Sequence, residues 1–456
     1  MFGKTKHIHF VGIGGVGISG IAEVLFNQGF HISGSDLKQT EVTDRLVSLG
    51  CDIYIGHSAD NIEGADVLVF STAVPLTNVE IVAAKMKKIP VIPRIEMLAE
   101  LMRMKYSIAV SGTHGKTTTT AMVASILEHG GLDPTVADGG IITGLGTNAR
   151  LGSSEFMVLE ADEAYGAIHK LSATIAVVNN IDTDHLDTYG TIDNIKEAFL
   201  NFINRVPFYG VAILCLDEKN VQDLVPKVEK RFLTYGIETG ADFTATDIQV
   251  DGTGSSYMAN RGGQILGRIR IKLPGRHNVT NSLAAVAVGM ELDIPFEKIA
   301  EALKSFPGVH HRFELLGDVD DVLVFDDYGH HPTEIRATLK TARETYNRRV
   351  VAIFQPHRYT RVSLLADDFA RCFYQADVLV VTEIYSALED PIEGTTGDML
   401  ANAIRDYGHK NVIYIPDKGD IADAVCEMIQ PRDLVITLGA GDIWKAGKEI
   451  VEKLNA

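Results

Sequence analysis

Two glycine clusters are the residues best suited to chemistry. Each sits between an apolar run and an amphipathic stretch. The first is Gly12-Ile-Gly14-Gly15-Val-Gly17-Ile-Ser-Gly20. Glycines there let a backbone approach a pyrophosphate, and a helix start supplies N–H donors and the positive end of its dipole. Asp36 ends the next apolar run, a suitable distance on for a ribose hydroxyl contact. The plainer account is a tight strand-to-helix turn with no ligand. The second cluster is Ser111-Gly112-Thr113-His114-Gly115-Lys116-Thr117-Thr118. Its first glycine lies only three residues before the second, so the common GxxxxGKS/T spacing is not met. The physics is intact all the same. Gly112 and Gly115 expose backbone N–H groups, Lys116 reaches outer phosphates, and the Thr117 hydroxyl suits Mg²⁺. A dehydrogenase needs only the first loop and a simple NTPase only the second. A chain with both fits one nucleotide as substrate carrier and another as energy source.

Acids and histidines follow other apolar runs. Leu159-Glu160-Ala161-Asp162-Glu163 ends one, and Asn179-Asn180-Ile181-Asp182-Thr183-Asp184-His185-Leu186-Asp187 ends another. Ligands of open α/β sheets collect at the carboxyl ends of strands, and carboxylate oxygens there suit Mg²⁺ beside phosphates. Helix caps and solvated loop acids are the alternative reading. Gly275-Arg276-His277-Asn278-Val279-Thr280-Asn281 opens a helix, and Asn278 could be simply its N-cap. Arg312 lies near a domain junction, where an arginine can act on a phosphoryl group. Asp326-Asp327-Tyr328-Gly329-His330-His331-Pro332 and Gln355-Pro-His357-Arg358-Tyr-Thr-Arg361 have the polar density of a substrate site. Neither matches a metalloprotease or nucleophile-elbow pattern.

The elements that must position these residues follow from periodicity. Apolar runs alternate with amphipathic stretches almost throughout, the mark of βα units and parallel sheets. The first series has strands near 7–12, 31–35, 52–55, 66–70 and 90–92 and closes with a helix at 95–104. The second opens with 106–111 and a helix from Gly115, then strands at 155–160, 174–179 and 210–216. Residues 242–273 alternate polar and apolar with GTGSS and NRGG turn signals, an antiparallel insertion. A helix at 278–292 follows. The third series opens near 313. Its strands fall at 322–326, 349–354, 377–382, 411–415 and 433–438, and its helices at 332–346, 361–374, 397–407, 420–429 and 442–454. The expected fold class is α/β in three domains. The expected boundaries put the first domain at 1–105, the second, with the antiparallel insertion, at 106–312, and the third at 313–456.

The chain has 456 residues, enough for two to four domains. It is 46% hydrophobic and 22% charged, as in ordinary globular proteins. A net charge of −18 gives no broad electrostatic claim on nucleic acid. Cysteines at 51, 215, 372 and 426 are too dispersed for a CxxC metal knuckle or a dense disulfide framework. Apolar stretches are strand-sized, and the start of the chain is broken by glycines with no small-residue cleavage site. The expectation is a soluble cytoplasmic protein with neither membrane nor nucleic-acid partner.

In order along the chain, GIGGVGISG, SGTHGKTTT, LEADE, NNIDTDHLDTY, GRHNVTNSLAA and DDYGHHPTEI resemble the Mur ligase family, and within it the alanine-adding branch. The resemblance covers essentially the whole chain and implies a Rossmann-like N-terminal domain, a central P-loop-type ATPase domain and a Rossmann-like C-terminal domain. It implies ATP-dependent ligation of L-alanine to the carboxylate of UDP-N-acetylmuramate, with ATP and Mg²⁺. Gly14, Gly15, Gly17 and Asp36 would serve the UDP substrate, and Gly112, Thr113, His114, Gly115, Lys116, Thr117 and Thr118 the ATP phosphates. Thr117, Glu163 and His185 would form the metal site. Asn278 and Asn281 would flank adenine, Arg312 would touch phosphates, and His330, His357, Arg358 and Arg361 would face the substrates. Lys116, His330 and Arg312 would be catalytic. His330 is the preferred base because imidazole titrates near neutral pH. Where relatives have Ser-Asp after ADE this chain has Ala164-Tyr165, and His311 stands where a second arginine is common. Several relatives carry a carbamylated lysine about fifteen residues beyond the metal histidine, where this chain has Leu200, with Lys196 one turn earlier. Metal sites without a carbamate are therefore expected. Three rivals stand beside this reading: an NAD-dependent oxidoreductase, a non-catalytic muropeptide-binding regulator, and the family's recycling branch, which joins a tripeptide to the same acceptor.

Overall fold

The computed structural model describes residues 5–71, 73–137, 149–163 and 168–455. Ala164-Tyr165 lies outside them. The chain forms two compact units. One comprises 1–181, 193–243 and 284–302, the other 182–192, 244–283 and 303–456.

The first unit holds two sheets. One orders the strands Asp52–Ile55, His31–Asp36, His7–Val11, Val67–Phe70 and Val91–Pro93, all parallel. Its central strand buries Ile8, Phe10 and Val11 completely, as a sheet covered by helices on both faces requires. The second runs Phe232–Gly236, Val211–Cys215, Ile175–Val178, Tyr106–Ser111, Phe156–Glu160, Thr135–Ala137 and Ala149–Arg150, antiparallel only at the last pair. Both glycine clusters therefore leave the carboxyl ends of central strands.

The second unit carries the antiparallel strands Phe243–Asp251, Gly254–Arg261 and Gln264–Ile271, as their alternation implied. Gly262 and Gly263 take positive φ in the two-residue turn between the last two, which side-chain-bearing residues resist. Its six-stranded sheet orders Glu314–Val319, Val322–Asp327, Asp433–Leu438, Arg349–Phe354, Val378–Val381 and Val412–Tyr414. All pairs are parallel except the first. Two expectations need correction. The helix expected at 361–374 is two, Tyr359–Leu364 and Ala366–Ala370, broken at Leu365. The helix expected from 278 begins at Arg276.

A buried polar knot ties the first sheet to its flanking helix. Glu80 and His9 are both fully buried, 3.6 Å apart. Glu80 also accepts from Ser35 Oγ at 2.5 Å, Asn61 Nδ2 at 2.6 Å and Ser58 N at 3.2 Å. Burial alone would raise its pKa, but nearby His9 and bonds from Ser35 and Asn61 bring it down to about 2. A carboxylate whose pKa is depressed on folding stabilises the fold fully above its unfolded pKa, near 4.5, and loses that contribution as pH falls toward 2. Removing one member leaves buried partners unsatisfied, so Glu80→Ala should cost about 3–5 kcal/mol. In a thermal scan the first transition should drop by roughly 6–20 °C at pH 7. The gap from wild type should narrow below about pH 4. An unchanged midpoint would refute the knot's structural role.

Candidate functional site

The first glycine loop is held by its own sheet. Gly12 has φ +76° and donates to the Ser35 carbonyl at 2.8 Å. Gly14 N donates to Asp36 Oδ2 at 2.9 Å. A Cβ at Gly14 would stand 2.9 Å from that oxygen, so any larger residue would push the Asp36 carboxylate aside. Asp36 thus fastens the loop. Gly15 precedes the helix Val16–Asn27 with no side-chain cap. Beside Gly17 lies Arg94, which the sequence reading missed. Its Nη1 donates to the Gly17 carbonyl at 3.4 Å. Burial lowers its pKa, while Asp162 and Glu160 act in the opposite direction.

The second loop closes around a lysine. Gly112 and Gly115 have φ +137° and +76°, and the helix Lys116–Gly130 starts at once. Lys116 Nζ donates to the Gly112 carbonyl at 2.8 Å and to Glu163 at 2.9 and 3.2 Å. Burial disfavours the ammonium, but Glu163, Asp162 and Glu160 outweigh it and hold the pKa above its ordinary value. Asn180 braces the loop, accepting from His114 N at 2.7 Å and donating to the His114 carbonyl at 3.0 Å. Thr113 N donates to the Asn180 carbonyl at 3.2 Å. Thr117 Oγ1 donates to Glu160 Oε2 at 2.8 Å, and Thr118 is buried one position on. Hydroxyl and carboxylate oxygens this close make a donor set that fits a hard divalent cation.

The remaining expected residues belong to the second unit. Asn278 lies inside the first turn of Arg276–Glu291, and its amide donates to the Pro274 carbonyl at 2.8 Å. It is therefore not the N-cap. Asn281 donates to Asn278 Oδ1 at 3.4 Å. Arg312 lies over the Tyr328 ring at 4.9 Å and 4.0 Å from Glu334. Buried Asp327 accepts from Phe313 N and Gly329 N, each at 2.8 Å, fixing the start of the DYGHHP turn. Burial pushes its pKa up to about 6, against the pull of Arg312 and those N–H groups.

His330 Nδ1 donates to the Tyr328 carbonyl at 3.0 Å, which leaves the lone pair on Nε2. Burial, with Arg361 and His357 adding to it, pushes its pKa down to about 3. The expectation that this imidazole titrates near neutral pH is thereby corrected: the ring is neutral there and only weakly basic. Glu334 accepts from His330 N and His331 N at 3.1 and 3.3 Å, capping the helix Pro332–Tyr346. The sequence reading missed it because histidine is an unusual N-cap in a capping box.

Arg361 is buried, and its Nε and Nη2 bind Asp184 in three bonds of 3.2–3.3 Å. Its Nη1 donates to His357 Nδ1 at 3.1 Å. Burial and the two nearby arginines push His357 down to about 4, so it too is neutral. Asp184 N-terminally flanks His185, whose backbone is left-handed at φ +55° and caps a short turn of helix. Thr333 Oγ1 donates to Asp182 Oδ2 at 2.7 Å, anchoring the same segment. Arg358 is clasped by Glu389, also missed from sequence. The structure thus gathers the two loops and Glu163 in the first unit. It gathers Asn278, Asn281, Arg312, His330, His357, Arg358, Arg361 and His185 in the second.

Three family profiles match in succession: "Mur ligase family, catalytic domain" at residues 7–106, "Mur ligase middle domain" at 110–289 and "Mur ligase, glutamate ligase domain" at 311–441. The chain belongs to the Mur ligase family. A UDP-N-acetylmuramate–L-alanine ligase of Geotalea uraniireducens (strain Rf4) is 56% identical over 455 residues, covering 100% of this chain and 99% of that relative. One from Geobacter sulfurreducens is 54% identical over 457 residues, covering 100% of this chain and 99% of the relative. A solved UDP-N-acetylmuramate–alanine ligase from Thermotoga maritima is similar at TM-score 0.82 and 31% identity, covering 99% of each chain. A murein peptide ligase from Psychrobacter arcticus is similar at TM-score 0.72 and 25% identity, covering 98% of each. The family's three-domain α/β fold is the one expected from sequence.

Lys196, one helical turn before Leu200, donates to Asp223 at 2.8 Å. That carboxylate is half exposed. Surface ion pairs contribute about 1 kcal/mol or less. Lys196→Ala should therefore keep ligation within roughly threefold of wild type at saturating ATP and Mg²⁺. His185→Ala should collapse it. Wild type should show no dependence on added bicarbonate. A collapse in Lys196→Ala, or bicarbonate dependence, would restore the carbamate.

Proposed function

We propose that this chain is an ATP-dependent ligase that joins L-alanine to the carboxylate of UDP-N-acetylmuramate in peptidoglycan precursor synthesis. The observation that carries the reading is two separate glycine loops in one chain, the second closed on a charged lysine. Whole-length similarity to ligases of that name supports it. We read 1–105 as the UDP-substrate domain, 106–312 as the ATP domain and 313–456 as the amino-acid domain. The protein is soluble and cytoplasmic on this reading. Among the described residues no helix is long and apolar enough to cross a membrane.

A carboxylate is a poor electrophile. One of its oxygens takes the γ-phosphoryl group of ATP, giving an acyl phosphate and ADP. The alanine amine then attacks the carbonyl carbon and loses a proton, and phosphate leaves with the electrons of the broken C–O bond. Lys116 and Arg312 offset charge on the transferring group. Gly112 to Thr118 cradle the phosphates, and Asn278 and Asn281 flank the adenine. Thr117, Glu163 and His185 would hold Mg²⁺, which supplies charge neutralisation when bound. Gly14, Gly15, Gly17 and Asp36 serve the UDP moiety. His357, Arg358 and Arg361 serve the acceptor side with His330, whose neutral Nε2 accepts a hydrogen bond. Catalysis on this reading is mainly positioning and electrostatics.

Lys116→Ala should lower ligation by roughly a hundredfold or more yet leave UDP-N-acetylmuramate binding within about threefold by calorimetry, because the two glycine loops are separate. Equal loss of both in a folded variant would sink the two-site assignment. Phosphate release from ATP with UDP-N-acetylmuramate should rise far more with L-alanine than with L-alanyl-D-glutamyl-diaminopimelate, since steric exclusion discriminates more strongly than a missing methyl. Preference for the tripeptide would move the chain to the recycling branch. NADH binding without UDP-sugar competition would favour the oxidoreductase.

A further inference from the structure

Arg358 has an unusual backbone for a side-chain-bearing residue. Its φ is +68° with ψ 127°, a strained conformation that surrounding contacts must enforce. Three contacts do so. Arg358 N donates to the Tyr385 carbonyl at 2.9 Å. Tyr385 N donates to the Pro356 carbonyl at 2.8 Å, and the Tyr385 ring stacks on His357 at 5.6 Å and 8°. The third is Glu389. Its Oε1 accepts from Arg358 Nε at 2.5 Å and from Thr360 Oγ1 at 2.7 Å, while Oε2 accepts from Thr360 N at 3.0 Å. One carboxylate therefore grips the arginine side chain and the start of the helix Tyr359–Leu364 together. The segment presenting it is itself wound into left-handed backbone at Ala387 and Leu388, φ +49° and +70°. Leu388 is almost fully exposed, so apolar burial does not explain that strain.

We infer that Glu389 is a positioning residue for the amino-acid substrate, acting through Arg358. A guanidinium is planar, and its five N–H donors keep a fixed fork. A bond at Nε to a fixed carboxylate sets the plane, and with it the direction of both Nη groups. Bidentate recognition of a substrate carboxylate depends on that direction. The hydrogen bonds and the charge of Arg358 hold Glu389 ionised, below the ordinary carboxylate range once burial is overcome. The inference rests on the reading that Arg358 receives the carboxylate of the amino acid.

The test is steady-state kinetics of Glu389→Ala, Glu389→Gln and Glu389→Asp, with Arg358→Ala and the double variant Glu389→Ala/Arg358→Ala. Wild type is assayed first for phosphate release that requires both UDP-N-acetylmuramate and L-alanine. Absence of that activity would overturn the functional reading itself, whatever the variants do. With it present, Glu389→Ala should raise KM for L-alanine by roughly tenfold to a hundredfold, the weight of a hydrogen bond to a charged group. Its kcat and its KM for ATP should stay near wild type, while its melting temperature should fall because Arg358 loses its carboxylate partner. Glu389→Gln and Glu389→Asp should lie between, restoring part of the effect. In the Arg358→Ala background the Glu389→Ala change should add little, because partners in one contact are not additive. An unchanged KM for L-alanine in a folded Glu389→Ala overturns the inference. So does an equal fall in every kinetic parameter, or a full effect in the Arg358→Ala background. If Glu389→Ala does not fold, the same comparison is decided with Glu389→Gln.

Discussion

A charged lysine enclosed by the loop that carries it must be matched by carboxylates, and much of the first unit follows from that constraint. Lys116 reaches the Gly112 carbonyl only because Gly112 and Gly115 adopt backbone that other residues resist. Its charge survives burial because Glu163, Asp162 and Glu160 lie at the end of the neighbouring strand Phe156–Glu160. That strand pairs in parallel with Tyr106–Ser111, which carries the loop. Parallel pairing sends both carboxyl ends to one edge, so register alone brings ammonium and acids together. Asn180, from the strand on the other side, completes the bracing through His114.

The second unit solves the same problem with arginines. Arg361 is matched by Asp184 through three bonds, and Arg358 by Glu389 through its Nε. Such pairs hold a side chain in one orientation. Paired charges of this kind specify geometry more surely than they add stability, since desolvation offsets much of their attraction. Both arginines are therefore pre-set groups, and the histidines beside them are kept neutral by burial and by the same positive charges.

How much of this was legible in the sequence depended on distance along the chain. Strands such as Val322–Asp327, Arg349–Phe354 and Asp433–Leu438 fall where their apolar runs stood, because strands buried on both faces read as continuous apolar stretches. The edge strand Glu314–Val319 was not anticipated. Its hairpin turn is Asp320-Asp321, both at positive φ, with no glycine to mark it. The helix expected at 361–374 keeps its apolar spacing across a break that only backbone geometry at Leu365 shows. Site residues inside short motifs were readable as groups. Their partners were not: Glu389 lies 31 positions from Arg358 and Arg361 lies 177 from Asp184. Pairing at that range is set by topology, which local spacing does not encode.

The two neutral histidines bear on what sort of catalyst such a site makes. A base with pKa near 3 is nearly all deprotonated at pH 7 but has little thermodynamic pull on an ammonium proton. Ordered cations are the better-developed feature of each unit, Lys116 in the first and Arg312, Arg358 and Arg361 in the second. A chain of net charge −18 repels anionic nucleotides at long range. At physiological salt that repulsion fades beyond about 8 Å, leaving recognition to fixed local donors. On the proposed reading, glycine-loop N–H groups and paired arginines are donors of that kind, oriented before a substrate arrives, so that little reorganisation would remain when charge shifts during phosphoryl transfer.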